Sequence, residues 1–209
     1  MAVLPILELP HPVLRQRARK VRRIDSSLLR LAHDMVDTMR GAGGVGLAAN
    51  QVGVLRRLIV IQLPDEDSAR IYINPEILTR EGERRVEEGC LSIPGYKGLI
   101  TRSVWIKFRS LDQNSRLVKL KAEDLLSQAL EHEVDHLNGI LYVDHLNSHE
   151  ELIRVTVEPD TGLRVEENDK VPLIPDEKLQ TSEVNTLGDL VLPVSHVDYH
   201  DTPSSLKVR

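Results

Sequence analysis

The heptapeptide LEHEVDH, residues 130 to 136, constrains this chain more than any other stretch of its sequence. On an α-helix, residues four positions apart lie on the same face, so His132 and His136 would point the same way and could share one metal ion. Glu133 would lie beside that ion, where a carboxylate can take a proton from a bound water molecule. The pattern predicts a helix that carries a metal site of the type used in hydrolysis.

The residues around this motif favour a helix. The stretch EDLLSQALEHEVDHLNG has an apolar face at helical spacing, and Gly139 provides a C-terminal stop. A second amphipathic helix is predicted for residues 26 to 40, SSLLRLAHDMVDTMR, with Asp25 or Ser26 as its cap and Gly41 at its end. Both helices have one apolar face, so each must pack against another element.

The other apolar segments have the character of β-strands. Residues 55 to 63 and 70 to 78 are rich in β-branched side chains and are separated by the polar turn PDEDS. Residues 103 to 110 alternate apolar and polar side chains from Val104 to Phe108, which predicts a half-buried strand with Val104 facing inward. The predicted fold class is α+β, with mixed or antiparallel sheets packed around a central helix that carries HEVDH.

Composition excludes several classes of protein. The 209 residues are 41% hydrophobic and 28% charged, which suits a folded protein with one main core, and no apolar run approaches the length of a membrane span. The formal net charge of -5 gives no basic footprint for nucleic-acid binding, so we expect no membrane partner and no sequence-specific nucleic-acid partner. The N-terminus lacks a basic region and is interrupted by Pro5, Glu8 and Pro10, so a cytoplasmic protein is expected.

The sequence changes character near residue 147. Residues 147 to 209 contain six Lys/Arg and thirteen Asp/Glu and carry a net charge of -7, whereas residues 1 to 146 carry +2. We therefore predict a catalytic domain at 1–146 and an acidic C-terminal extension at 147–209 that is partly β and docks in part on the core. Strands are predicted within it at 153 to 157, 163 to 165 and 187 to 194.

A catalytic zinc or iron site takes three protein ligands, so the two histidines need a third. A downstream glutamate serves in thermolysin-like peptidases and a third histidine in metzincins, but His145 follows His136 by nine residues rather than six. Cys90, the only cysteine, is the better candidate because a thiolate suits zinc and ferrous iron, and a ligand role would explain a lone cysteine in what we predict to be a turn-rich loop. A buried core thiol and ordinary helix histidines remain the alternative interpretation. Two further histidine pairs lack a glutamate after their first member and are interpreted as incidental: His145 with His149, and His196 with His200.

Five glycines lie in residues 41 to 54, GAGGVGLAANQVGV, where the backbone can approach a ligand closely. A phosphate-binding loop is excluded because the stretch has no Gly-Lys-Ser/Thr ending and no GxGxxG pattern. We interpret it as a loop that cradles a substrate and presents Gln51.

Three motifs together resemble the signature motifs of the peptide deformylase family. They are GVGLAANQ at 44 to 51, EGCLS at 88 to 92 and HEVDH at 132 to 136, in the family's order and with similar separations. The opening ILELPHPVLRQRARKV is similar to the N-terminal segment of that family as well. The resemblance covers roughly residues 4 to 146.

The resemblance implies a role for each motif residue. Cys90, His132 and His136 would bind one divalent metal ion, most commonly Fe²⁺, with Zn²⁺, Ni²⁺ or Co²⁺ also able to occupy the site. Glu133 would act as general base and acid. The side-chain amide of Gln51 and the backbone N–H of Leu91 would stabilise the oxyanion.

The implied substrate is the N-formylmethionyl end of a newly synthesised polypeptide, from which the family releases formate. Backbone groups of Val45, Gly46 and Gly89 would pair with the extended peptide, and Leu125 and Ala129 would line the pocket for the methionine side chain. For Val45 and Leu125, plain core packing is the alternative. The resemblance also implies contact with the ribosome through its nascent chain.

The chain departs from the family pattern at two points. Glu131 stands where the family often has glutamine, and we expect activity to survive this change. The acidic extension is the second departure, and no mechanism is assigned to it. Two other functions stay open: an HExxH peptidase that cleaves internal peptide bonds, and a non-catalytic metal-dependent binding module. The peptidase function is disfavoured because the chain offers no glutamate or histidine as the third metal ligand. The binding-module function is disfavoured because such a protein does not need a proton carrier such as Glu133.

Overall fold

The computed structural model describes residues 2–148, 151–157 and 164–167. The α-helices are α1 (Ser26–Gly41) and α2 (Asp124–Leu137), and short 3-10 helices span Pro12–Arg15, Ala49–Val52 and Tyr142–His145. The strands are β1 (Gly46–Ala48), β2 (Leu58–Ile61), β3 (Arg70–Glu81), β4 (Arg84–Cys90), β5 (Ile93–Arg102), β6 (Trp105–Leu111), β7 (Leu117–Glu123), β8 (Leu152–Val157) and β9 (Arg164–Glu167).

The strands form two antiparallel sheets. One has the order β1-β2-β3-β6-β7 and the other the order β4-β5-β8-β9. Each pair of neighbouring strands is antiparallel, and in the described residues the only parallel pairing is an isolated bridge between Arg19 and Arg56. The predicted α+β class with antiparallel sheets around a central helix is confirmed.

Helix α2 is the central element, and ten of its fourteen residues are buried. Its apolar side chains Leu130, Val134 and Leu137 pack with Ile59 and Phe108 of the five-stranded sheet. The helix ends where sequence predicts, because Gly139 has a φ of +78°, a conformation that favours glycine. The buried polar residues of α2 therefore face the interior and must either pair with other groups or act chemically.

Helix α1 covers the other part of the five-stranded sheet. Asp25 caps it by accepting a hydrogen bond of 2.9 Å from the Leu28 N–H, and the helix ends at Gly41 as predicted. Its Met35 and Met39 pack with β2. This packing holds the glycine-rich stretch that follows α1 beside α2.

Two details of the sequence prediction are wrong. Val104 does not face inward: it lies between β5 and β6 and is 43% exposed, because β6 begins only at Trp105. Cys90 is not in a turn-rich loop but at the end of β4, where the β4–β5 connection begins. Strand β4 is an edge strand with many charged residues, and its sequence therefore lacks a clear apolar pattern.

Strands β8 and β9 correspond to the strands predicted at 153 to 157 and 163 to 165, and β8 pairs with β5. The strand predicted at 187 to 194, together with His149, His196 and His200, lies outside the described residues. Within the described part of the chain, no helix combines the length and the apolar character needed to cross a lipid bilayer.

Candidate metal centre and cleft

Three side chains from two elements form a compact cluster. Cys90 at the end of β4 places Sγ 3.1 Å from Nε2 of His136, and the Nε2 atoms of His136 and His132 are 3.1 Å apart. The three donor atoms all lie within 4.8 Å of one another. One thiolate and two imidazole nitrogens are a donor set that suits Zn²⁺ or Fe²⁺, so these residues fit a metal ion of that kind.

A buried ionic network orients one of the two histidines. Nδ1 of His132 lies 2.5 Å from Oε1 of Glu88, and this contact directs Nε2 of the same ring toward Cys90 and His136. Arg102 donates two hydrogen bonds to the Glu88 carboxylate, of 3.0 and 2.7 Å, and a third of 2.5 Å to Asp135. The network holds a charged carboxylate next to the metal-ligand cluster.

Burial and neighbouring charges shift the pKa values of these groups in different directions. Burial alone would raise the pKa of Glu88, but contacts with His132 and Arg102 outweigh it and lower the pKa to about 2. Burial lowers the pKa of His132, yet its contacts with Cys90 and Glu88 raise it well above the usual value. Burial and the charge of His132 hold the pKa of His136 far below normal. The pKa values of the two histidines are thus shifted in opposite directions, because the rings are buried close together and have different charged partners.

Glu133 points into the same interior with one oxygen unpaired. The side chain is buried, and its Oε2 has no hydrogen-bond partner among the described residues. Burial is the main cause that raises the pKa of this carboxyl to about 7. Gly46 of β1 makes room for it, because a Cβ atom at residue 46 would lie 2.9 Å from the Glu133 Cδ. A carboxyl group with such a pKa can both accept and donate a proton near neutral pH.

Gln51 lies on the short helix Ala49–Val52 that follows β1. Its Oε1 accepts a hydrogen bond of 2.8 Å from the Ala48 N–H, which turns Nε2 toward Cys90 Sγ at 3.7 Å and Ser92 Oγ at 3.1 Å. The neighbouring Asn50 donates a hydrogen bond of 2.5 Å to the carbonyl of His136. The glycine-rich stretch thus holds both the end of α2 and an amide donor beside the cluster.

The cluster opens into a cleft of about 350 Å³. Strand β1 is at the edge of the five-stranded sheet and β4 at the edge of the four-stranded sheet, and both contribute to the walls. The lining contains Gly43, Gly44, Val45, Gly46, Gln51, Glu87, Glu88, Gly89, Cys90, Leu91, Leu125, Gln128, Ala129, His132 and Glu133. The structure therefore brings every residue that the sequence named for the site to this cleft, except that His136 lies behind the lining, in the cluster itself.

Sequence reasoning did not identify the residues behind the cleft. Glu88 is part of the EGCLS motif, so its closeness to Cys90 was a usable signal. Asp135 is likewise part of the HEVDH motif, but nothing in the sequence indicated its partner Arg102, because the two residues come from different elements and meet only in the fold. The carboxylate of Glu131 accepts hydrogen bonds of 3.0 Å from the Ser103 N–H, the Ser103 hydroxyl and Arg80. These three hydrogen bonds hold the Glu131 carboxylate beside Ser103.

Known proteins resemble this chain over the whole region that builds the cleft. The family model described as polypeptide deformylase matches residues 3–152. A peptide deformylase of Dehalococcoides mccartyi is 51% identical over 152 residues, which are 73% of this chain and 91% of that protein. One of Thermomicrobium roseum is 40% identical over 193 residues, 89% of this chain and 99% of that protein. The crystal structure of a peptide deformylase from Legionella pneumophila has a TM-score of 0.68 at 44% identity, and the match covers 70% of this chain and 87% of that one.

Proposed function

Because the chain belongs to the peptide deformylase family, hydrolases that remove the N-formyl group from nascent polypeptides, we propose roles in this reaction for the metal-type donors and for selected residues of the cleft. The proposal rests on one observation: three side chains of the kind that bind metals lie beside the Glu133 carboxylate, whose Oε2 has no hydrogen-bond partner among the described residues. The fold and the family assignment leave the roles of the single residues to be tested.

Cys90, His132 and His136 would hold one divalent metal ion. We propose Fe²⁺ as the native ion, with Zn²⁺, Ni²⁺ or Co²⁺ able to replace it, since thiolate and imidazole ligands suit all four. When bound, such an ion supplies Lewis-acid chemistry: it polarises the formyl carbonyl and acidifies water. Glu88 supports the site by fixing the ring orientation of His132.

Glu133 is proposed as the proton carrier. Its Oε2 accepts a proton from the attacking water and then donates that proton to the leaving amine nitrogen. The burial that raises the pKa of this carboxyl to about 7 makes both directions of transfer accessible near neutral pH. Gly46 keeps the space that the carboxylate needs.

Gln51 and Leu91 are proposed as oxyanion donors. The negative charge that develops on the formyl oxygen needs hydrogen-bond donors that are already in place. The Gln51 amide is held by the Ala48 N–H, so its Nε2 is oriented before substrate arrives. The backbone N–H of Leu91, next to Cys90 on the cleft wall, is the second donor.

The peptide substrate is proposed to lie extended between the edges of β1 and β4. Edge strands offer free backbone groups, and a peptide that adds a strand gains main-chain hydrogen bonds. Val45 and Gly46 would contribute from one side and Gly89 from the other, while Leu125 and Ala129 contact the methionine side chain. The 40% exposure of Leu125 at the cleft mouth supports such a contact, because this side chain is not part of the core.

The remaining proposals concern the whole protein. We assign residues 1–146 as the catalytic domain, since all proposed site residues lie within it, and residues 147–209 as an acidic extension whose strand β8 continues the second sheet. We propose a cytoplasmic location and encounter with substrate at the ribosome, through the nascent chain. Both follow from the nature of the substrate.

Product analysis tests the proposed reaction against the peptidase and binding-module alternatives. Protein loaded anaerobically with Fe²⁺ or Ni²⁺ is incubated with a formyl-Met tripeptide, and formate and new amino groups are quantified. The expected result is one formate for each new amine with the internal peptide bonds intact. Peptide fragments without formate would establish a peptidase instead, and no turnover by fully metal-loaded protein would favour a binding module.

A further inference from the structure

We propose that one exposed face of the protein is a docking surface for the phosphate backbone of RNA. This arginine surface consists of Arg17, Arg19, Lys20, Arg22, Arg23 and Arg56. It lies apart from the residues proposed for the reaction, and neither its existence nor its test depends on the proposed function.

Among the described residues, the charge of this surface has few acidic partners. Residues 15 to 23 read RQRARKVRR and contain no acidic residue, and all six side chains of the surface are exposed. Within the described residues, none of the six forms an ion pair with a carboxylate, whereas the adjacent Arg15 is paired with Asp144. Two carboxylates interact electrostatically with this surface: Asp25 with Arg56, and Glu76 with Lys20. Glu76 is already paired with Arg109.

The backbone that carries these side chains is fixed by hydrogen bonds. The Ala18 N–H donates to the carbonyl of Leu137 at 2.9 Å, and Arg19 is bonded on both sides, to Leu55 at 3.0 Å and to Arg57 at 2.8 Å. Farther along, the side chain of Asn74 accepts from the Val21 N–H at 2.8 Å and donates to its carbonyl at 2.9 Å. The arginines are therefore presented by an ordered scaffold and not by a loose tail.

The arrangement brings like charges together. Arg19 and Arg56 are partners in a parallel bridge, and like charges directly opposite each other destabilise a pair of strands. Burial, and after it the positive charge of Arg17, lowers the pKa of the nearby Arg57 guanidinium. A polyanion bound across the surface would remove this repulsion.

The side chains favour nucleic acid over a lipid surface. Five of the six are arginines, whose planar guanidinium groups bind phosphate through paired N–H donors and stack on unpaired bases. The apolar residues of the same segment point inward: Ala18 is buried in the core around α2, and Val21 and Ile24 pack against the core around α1. No apolar side chain of the segment is left to enter a bilayer, as interfacial binding requires. The net charge of -5 conceals this segment because thirteen of the 32 Asp/Glu residues lie in residues 147–209 of the sequence.

The position of the arginine surface leaves the cleft accessible. The segment crosses the C-terminal end of α2, where Ala18 bonds to Leu137, and a Cβ atom on Gly139 would lie 2.8 Å from the carbonyl carbon of Arg15. Leu125 of the cleft lining is 40% exposed and lies twelve residues before Leu137 on the same helix, about 18 Å away along its axis. RNA held at one end of α2 would not block a peptide at the other.

Fluorescence anisotropy with an end-labelled RNA hairpin of arbitrary sequence tests this proposal on the full-length chain. Affinity is measured between 50 and 200 mM salt for three proteins: wild type, the variant R17Q/R19Q/R22Q, and the control K107Q/R116Q/K119Q. The control removes the same charge from exposed positions on and between β6 and β7. Wild type and control should bind with affinity that falls steeply with salt, and R17Q/R19Q/R22Q should bind at least tenfold more weakly, with a salt slope lower by about two to three.

Three results would overturn the proposal: no saturable binding of wild type at 50 mM salt, equal loss of affinity in the control, or tighter binding to phosphatidylserine-containing vesicles than to RNA. Thermal melts and formate release are measured on the same preparations. Because all substituted side chains are exposed and outside the cleft, both quantities should match wild type. The single variant R22Q, with an expected loss of a few fold and a slope change of about one, serves if the triple variant melts early.

Discussion

At the scale of single residues, the cleft depends on the absence of a side chain at position 46. The carboxyl group of Glu133 occupies the space that a Cβ atom of residue 46 would need. The Glu133 carboxyl group therefore packs directly against the main chain of Gly46. Strand β1, which is distant in sequence, thus sets the position of the proposed proton carrier.

Replacing Gly46 by alanine should displace the Glu133 carboxylate and lower formate release by at least tenfold, while bound metal stays near one equivalent. Gly41→Ala is the matched control, because a Cβ atom there meets nothing within 4 Å. Turnover and metal content are measured for both. Wild-type turnover in Gly46→Ala would show that the position of Glu133 does not matter to the reaction.

Glu88 should be needed for both metal affinity and stability. Glu88→Ala frees the ring of His132 and leaves the buried Arg102 with only Asp135 as partner. We expect metal affinity to fall by about 10- to 100-fold and the free energy of unfolding to fall by about 3 kcal/mol. Metal titration and urea unfolding measure the two effects. The neighbouring Glu87→Gln is the control, since the Glu87 side chain is 57% exposed, and a comparable loss there would argue against a specific role of Glu88.

The residues that sequence reasoning identified and those it did not differ for a physical reason. The sequence alone indicated His132, Glu133 and His136, because helical spacing puts the two histidines on one face. Arg102 and Asp135 are joined across 33 positions of sequence, and only the packing of β5 against α2 brings them together. Networks of this kind leave no periodic trace in a single sequence.

At the scale of elements, α2 is tied to the connection between β5 and β6 through Glu131. Its carboxylate accepts hydrogen bonds from the Ser103 N–H and hydroxyl, and both residues are buried. Arg80, the third partner, has a side chain that is 51% exposed, so solvent screens its ion pair with Glu131. The connection to Ser103 is therefore the part that stabilises the helix.

Two substitutions separate these contributions. Glu131→Gln keeps an acceptor for Ser103 and should leave turnover within threefold of wild type with little change in stability. Glu131→Ala leaves a buried N–H without a partner and should cost about 1 to 3 kcal/mol in the free energy of unfolding. Thermal and urea unfolding together with formate release distinguish the two. Equal stability of both variants would mean that Ser103 finds another partner.

Elements with strong periodicity were predictable from sequence, whereas strands β1 and β4 beside the cleft were not. Helix α1, helix α2 and strands β2 and β3 follow apolar patterns because each buries one face or both. Strand β4 exposes alternate charged residues at a sheet edge, so its apolar content is too low to signal a strand. Strand β1 has only three residues, all buried, and is too short to show an alternating pattern. Both strands beside the cleft were therefore hard to predict from sequence.

At the scale of the whole molecule, the family match covers the part of the chain that contains all the residues of the cleft. The match ends at residue 152, at the start of β8, and the confirmed resemblance rests on motifs that all line the cleft or its metal cluster. Strand β8 nevertheless belongs to the second sheet, because it pairs with β5 and buries Leu152 in the core beneath that sheet.

Two truncations should therefore behave differently. A chain that ends at residue 167 keeps β8 and β9 and should retain wild-type turnover and melting temperature. A chain that ends at residue 146 keeps every proposed site residue but loses β8, one of the two strands that pair with β5, and the buried Leu152. Its free energy of unfolding should fall by more than about 2 kcal/mol. Urea unfolding and formate release check both. If the chain that ends at residue 167 were inactive, residues 168 to 209 would have a part in the reaction.

Proton transfer by Glu133, in a metal site built from Cys90, His132 and His136, is the step on which the proposed reaction depends. The most direct test compares formate release by wild type and Glu133→Ala, both loaded anaerobically with Ni²⁺ and both analysed for bound metal. We predict that the variant keeps about one equivalent of metal and loses turnover by a factor of about 100 or more. Turnover within a few fold of wild type at equal metal content would contradict the account.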